Sequence, residues 1–396
     1  MLLLHLLNGL LPAGLAHSTR EPMMKRIDQL EGLRGLLAIW VVVVHLLPAS
    51  GIEPEGFGQF QVLFNEKIRV QIFCIMSGFV IFMMMSSARE GYGTYLTRRL
   101  KRIYPAYMLA FVLSILTAGI AYQALVTADF ESVRNVGRLK ILDQSFLNWP
   151  YHVLAHATLL HGIIPEQWLP LGSYAFLGQG WNISTEFQFY VIAPIVFFFL
   201  HQPLKWLRAV FVVACLAAWY LFRHWPNGSL LSYYAIYFTA GIASYYVWKR
   251  RWDNRTLVNP VTVIAAAIVA GFFDLAIGGW VFVFGYAVLI RDQARQKDPV
   301  TRFLEQPPMM FLGTVSYSLY LLHMIPLYSW MYVLNGQGLS QPAYFVSLAA
   351  LTFATAIPLS LVSQRYVENV FYKSKTHRLP EKQPATASEA TAVPRP

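Results

Sequence analysis

The chain has 396 residues, 56% of them hydrophobic and only 13% charged. A soluble domain carries roughly a quarter charged residues, so a water-soluble enzyme is excluded, and apolar runs recurring from Leu33 to Tyr372 leave no room for a separate catalytic domain. The formal net charge of +11 does not point to nucleic acid, because the basic residues sit in short loops between apolar spans.

In chain order, the first 22 residues come first. They hold an apolar run with no basic residue before it, and are read as a doubtful extension, with translation starting at Met23 or Met24. A membrane helix needs about 20 mostly apolar residues. Ten candidates follow, at roughly 33–48, 68–86, 104–123, 181–200, 207–224, 230–248, 257–273, 277–290, 309–332 and 343–363. They predict an all-α, polytopic integral membrane protein, with one membrane domain over 23–372. The last stretch, 373–396, is rich in Pro, Ala, Ser and Thr and predicts a disordered cytoplasmic tail. The aromatic region 145–165 would reverse everything after it if it crossed, so it is read as an interfacial or re-entrant piece. Cys74 and Cys215 fall inside apolar runs and predict buried small hydrophobes.

With a cytoplasmic amino terminus, 25 of the 31 basic residues lie in cytoplasmic segments. The other six are Lys67, Arg69, Arg134, Arg138, Lys140 and Arg223. The positive-inside rule then sets both termini in the cytoplasm and the chain in the cytoplasmic (inner) membrane as a multi-pass protein.

The first span carries Arg34 and, eleven residues on, His45. At 100° per residue this falls about 20° from three full turns, so the two share a face and stand about 16.5 Å apart along the axis. An ionisable group inside the hydrocarbon costs about 2.5–3.5 kcal/mol on insertion scales and is a functional candidate. The bland alternatives are a snorkelling arginine and a histidine hydrogen-bonded to a neighbouring helix.

The opening Leu30-Glu31-Gly32-Leu33-Arg34-Gly35, with His45 beyond it, resembles the signature of the acyltransferase type 3 membrane family, which contains many bacterial glycan O-acetyltransferases. Four further blocks are similar and stand in order: the run to Ser77-Gly78-Phe79, with Ile72 for the usual Phe; Arg98-Arg99 to Arg102 and Pro105; Trp181 to Glu186, with less usual Asn182 and Thr185; and Ser316-Tyr317-Ser318 to Tyr320 and His323. The resemblance covers about 23–372. It implies transfer of an acyl group, often acetyl, from acyl-coenzyme A as co-substrate, with no permanently bound cofactor.

Depth along the helices adds to this. Glu186 lies about 7–8 Å below the outer end of its span, near the level of His45, so the two can meet. A carboxylate accepting from one imidazole nitrogen leaves the other as a base for a sugar hydroxyl. His45, Glu186 and Arg34 are therefore the expected catalytic residues. Arg99 and Arg102, spaced i, i+3 at the cytoplasmic face, suit the phosphates of coenzyme A. Ser77 is added as a donor-channel residue, although Ser-Gly also simply permits close helix packing. Trp181, Tyr317 and His323 are the expected substrate-binding residues, with a structural hydrogen bond equally open for His323. His152, His156 and His161 lack a third well-placed ligand, so no metal is expected and an interfacial segment explains them better.

The expected partners are the lipid bilayer and a glycan or other hydroxylated acceptor, not nucleic acid. Two rivals stand beside this reading. One is acylation of a small metabolite such as a macrolide. The other is a proton-coupled transporter, since membrane His, Glu and Arg also build proton relays; the chain shows no internal repeat of the kind common in transporters.

Overall fold

The computed structural model describes residues 27–87, 90–254, 259–290 and 298–372. The extension 1–22, the alternative starts Met23 and Met24, the tail 373–396, and Arg89, Arg255, Arg291, Arg295 and Lys297 lie outside the described residues.

The chain opens with α1 (Asp28–Ala49), a 3-10 stretch (Pro54–Phe64) and α2 (Glu66–Ser87). Next come α3 (Tyr92–Leu116), α4 (Ala118–Val126), α5 (Val133–Leu147) and α6 (Trp149–Ala157). After a loop follow α7 (Trp181–Leu200), α8 (Lys205–Phe222), α9 (Leu231–Asn254), α10 (Pro260–Phe273), α11 (Leu275–Phe284) and α12 (Pro299–Leu304). The last elements are α13 (Pro307–Leu322), α14 (Met324–Leu334), α15 (Gln341–Ser363) and α16 (Asn369–Tyr372). No strand occurs among the described residues.

Helix lies over each of the ten apolar candidates. Among the described residues, five helices are long and apolar enough to cross a membrane, or up to seven when two bent pairs each count as one span. Those pairs are α3 with α4, bent by 56°, and α13 with α14, bent by 60°. The second bend has a sequence cause. Pro326 cannot donate to the carbonyl of Leu322 and its ring crowds that turn, so the helix breaks at His323. At the first, the Thr117 hydroxyl donates back to the Leu113 carbonyl, a bond that bends helices.

Large apolar side chains point outward all round the bundle, Phe272 and Phe273 being 87% and 88% exposed, the arrangement lipid solvates and water does not. The helix α8 buries no residue at all. Cys215 sits on it and is exposed, whereas Cys74 is buried; the expectation of two buried cysteines fails because α8 stands at the rim.

Inside, several helices approach one another backbone to backbone at glycines. A Cβ on Gly35 would fall 2.6 Å from the Met309 carbonyl oxygen, and one on Gly313 2.2 Å from that of Glu31, so α1 and α13 meet where only hydrogen fits. Gly78 does the same for α2 against Phe238 of α9. The small residues of the family blocks therefore set helix spacing.

Region 145–165 does not form a span: α6 has nine residues. Its histidines turn inward. His152, His156 and His161 are fully buried, and the rings of His156 and His161 stack with centroids 4.1 Å apart. The His156 Nε2–H donates to the Gly172 carbonyl at 2.9 Å, while its Nδ1 accepts from Tyr107 at 2.8 Å. Burial pushes the His161 imidazole down to about 4, and burial with its His161 neighbour holds His156 well below the usual range. The hydrogen bonds of His156 to Gly172 and of His161 to the Gly180 carbonyl at 3.3 Å pin this segment to the loop that leads into α7.

Candidate active site

His45 is half-buried near the end of α1. Its Nδ1 lies 2.8 Å from the carbonyl oxygen of Val41, one turn back. A carbonyl only accepts, so Nδ1 carries the proton and Nε2 keeps the lone pair. His323 repeats the arrangement at the break between α13 and α14, its Nδ1 2.9 Å from the Tyr320 carbonyl oxygen and 3.1 Å from that of Leu319. The Nε2 of His323 is buried, with no hydrogen-bond partner among the described residues. The two rings meet edge-on, centroids 5.1 Å apart.

His45 lines a cavity of about 530 Å³. Both bends open onto it, through Thr117 and Ala118 on one side and Tyr320 and Met324 on the other. Trp181, at the head of α7, forms part of the wall, its ring 5.1 Å from that of Tyr234. Two arginines also line it. Arg69 is fully buried, its guanidinium 5.1 Å from the centre of the Trp40 ring, a cation–π distance. Arg138 reaches in from α5 and donates to the His45 carbonyl at 3.3 Å and to Asn135 at 3.1 Å. Sequence reasoning passed over both as mere exceptions to the charge rule.

Glu186 does not join this cavity. Its carboxylate accepts from Ser77 at 3.0 Å and from Tyr190, and no hydrogen bond links it to His45 among the described residues. The backbone carbonyl of Val41 fixes the His45 tautomer instead. The cause is rotation about α7. Five residues beyond Trp181 is 500°, so a side chain at Glu186 points about 140° away from the cavity wall, and Tyr190, its hydrogen-bond partner, lies only about 40° round the helix from Glu186.

Glu186 belongs to a second polar cluster. Arg34 is 3.9 Å from Glu31 and within electrostatic reach of Arg102, Glu186 and Glu368. Arg102 pairs with the buried Glu368 at 2.7 Å and lies 5.8 Å from the centre of the Tyr317 ring. The Tyr317 hydroxyl donates to the Ile103 carbonyl at 2.7 Å, so Tyr317 stands beside the arginines and not in the His45 cavity. Ser318 also donates to Glu368, an acid no motif marked; it lies in the π-helical stretch Gln364–Glu368 that continues α15. Arg98 pairs with Glu90. Arg99 is 6% exposed, and its Nε and Nη2 are buried with no hydrogen-bond partner among the described residues.

Apolar helices wrapped round enclosed polar side chains define a multi-pass membrane protein. Residues 27–361 match a family model described as an acyltransferase domain. The chain belongs to that acyltransferase type 3 family and is a membrane acyltransferase. No curated protein and no solved structure matches it.

Proposed function

We propose that this acyltransferase moves an acetyl group from acetyl-coenzyme A to a hydroxyl of a cell-surface or secreted glycan, with His45 as general base. One observation carries the reading: the imidazole has its proton locked on Nδ1 by a backbone carbonyl and lines a cavity of about 530 Å³, a size ordinary for ligand sites.

In this reading a sugar hydroxyl gives its proton to His45 Nε2 as its oxygen attacks the thioester carbonyl. The carbon–sulfur bond breaks, and the proton passes from the imidazolium to the departing thiolate. Trp181 offers the acceptor a flat face. His323 stands behind His45 with a second lone-pair nitrogen.

The donor nucleotide docks at the opposite end. Buried guanidinium N–H groups without acceptors are costly, and those of Arg99 suit phosphate oxygens. Arg102, shared with Glu368, and Tyr317 flank that site. The pantetheine arm then spans the ~16 Å from Arg34 to His45, past Ser77 and Glu186, which keep α2 against α7. Ten spans with both termini in the cytoplasm would put the donor end inside and the His45 cavity outside, as a cytoplasmic (inner) membrane enzyme requires.

The test uses membranes containing the protein, labelled acetyl-coenzyme A and a co-supplied glycan. His45→Ala should lower transfer by about 10²–10⁴-fold, the usual contribution of a positioned base, while the protein still inserts. Full transfer by His45→Ala would remove the base from the mechanism.

A further inference from the structure

Tyr95 and Arg99 stand one turn apart on α3, about 40° round the helix from each other. Both are buried, at 2% and 6% exposure. Helical side chains lean back toward the amino terminus, so the guanidinium of Arg99 is carried over the phenol of Tyr95, and the two groups lie within electrostatic reach. The Nε and Nη2 of Arg99 and the hydroxyl of Tyr95 are buried with no hydrogen-bond partner among the described residues. Nε and Nη2 share one edge of the guanidinium, so a whole bidentate fork stands unused with a third donor beside it. Two acids of the region are already engaged: Glu90 by Arg98, and Glu186 by Ser77 and Tyr190. Neighbouring donors held away from water cost free energy that an oxyanion returns.

We infer that Tyr95 and Arg99 together hold the terminal phosphate of the donor, the monoester on the ribose of coenzyme A, and that Tyr95 makes the enzyme select a donor that carries it. This rests on the function proposed above, and names the part of the donor that this site reads. The donor count favours the monoester. A terminal phosphate presents three free oxygens, enough for the fork and the phenol, and carries a charge of about −1.5 to −2. Each phosphorus of the pyrophosphate keeps only two oxygens outside its bridges, and a single negative charge. Tyr95 is thus a specificity residue that no motif marks, because the basic block opens three residues later, at Arg98.

The experiment titrates the full chain in detergent micelles, by calorimetry, with coenzyme A and with dephospho-coenzyme A, which lacks only that phosphate. Coenzyme A should bind about tenfold tighter or more, the weight of hydrogen bonds to a charged group. Tyr95→Phe takes one oxygen from the core and keeps the ring. It should cut the preference about threefold or more, by weakening coenzyme A alone. Arg99→Lys keeps the charge but has no fork, and should remove most of what remains. Equal affinity of the two compounds, no binding of coenzyme A, or a preference unchanged by Tyr95→Phe would overturn the inference. So would a loss in Tyr95→Phe shared equally by both compounds, the mark of packing or of the pyrophosphate. Displacement of coenzyme A by equimolar phosphatidate, and not by phosphatidylcholine, would give the site to a lipid phosphate and overturn it too. His45→Ala should keep the preference while losing transfer. Transfer surviving in that variant alongside an intact preference would defeat the proposed base and leave the phosphate site standing.

Discussion

The two polar regions of the bundle are both rich in cations and differ in what faces them. Around Arg34 and Arg102 stand Glu31, Glu186 and Glu368; around His45 stand five cations and no acid among the described lining residues. In the first region the protein answers its own charges, and the carboxylates fix where the arginines lie. In the second the described lining sets cations beside one another, with Arg138 answered by the His45 carbonyl and Asn135. Arg99 is the exception in the first region, since its buried Nε and Nη2 meet no acceptor among the described residues.

Four measurements test this contrast. The largest effect belongs to Glu368→Gln, which strips the buried acid from Arg102. Breaking a fully buried pair costs about 3–5 kcal/mol. Because Arg102 keeps 25% exposure, a loss of about 2–3 kcal/mol is expected, measured by thermal unfolding in detergent. A stability unchanged from the parent would mean that the pair holds nothing.

Next comes pH. His161 is held near 4 by burial, against an ordinary 6.5. The unfolded chain therefore takes up a proton that the folded one refuses. The stability this provides is complete above about pH 6.5 and drains away as pH falls toward 4, on the order of 2 kcal/mol by pH 5. His161→Gln should flatten that slope in melting curves taken across the window; a slope untouched by the change would place the acid sensitivity elsewhere.

Smaller again is Glu186→Gln. It should raise the KM for acyl-coenzyme A by about tenfold, worth about 1.4 kcal/mol, and leave kcat nearly intact, because Glu186 sits with the arginines and not at the base. A collapse of kcat with KM unmoved would return Glu186 to His45. The smallest effect is on stability at the cavity rim, where Lys140→Gln should stay within about 0.5 kcal/mol of the parent.

Much of this architecture is legible in the sequence, because a stretch of 20 apolar residues has few options, although the run 309–332 reads as one span and the 60° break that Pro326 causes inside it is missed. Spacing along a helix is legible too: eleven residues set Arg34 and His45 about 16.5 Å apart along α1. Facing is not. Glu186 was placed opposite His45 from depth alone, and the 140° between it and Trp181 matters only once Trp181 is known to face the cavity. Cys215 fails for the same reason, since an apolar run does not say whether its surroundings are protein or lipid. Arg69 and Arg138 are exceptions to the charge count, and the clustering of those exceptions at 67–69 and 134–140 is the sequence signal of the cavity wall. Glu368 had no such signal, because the π-helical turn that directs it inward leaves no mark in composition.

The contact between Gly35 and Gly313 has a reach beyond its own turn. His45 rides on α1 about 15 Å beyond Gly35, and His323 rides on the partner helix, so the gap between the imidazoles is set by a hinge pin at the far end of both rods. A single added methyl there would lever the two rings apart without touching either, and an inactive enzyme could carry every catalytic group unchanged.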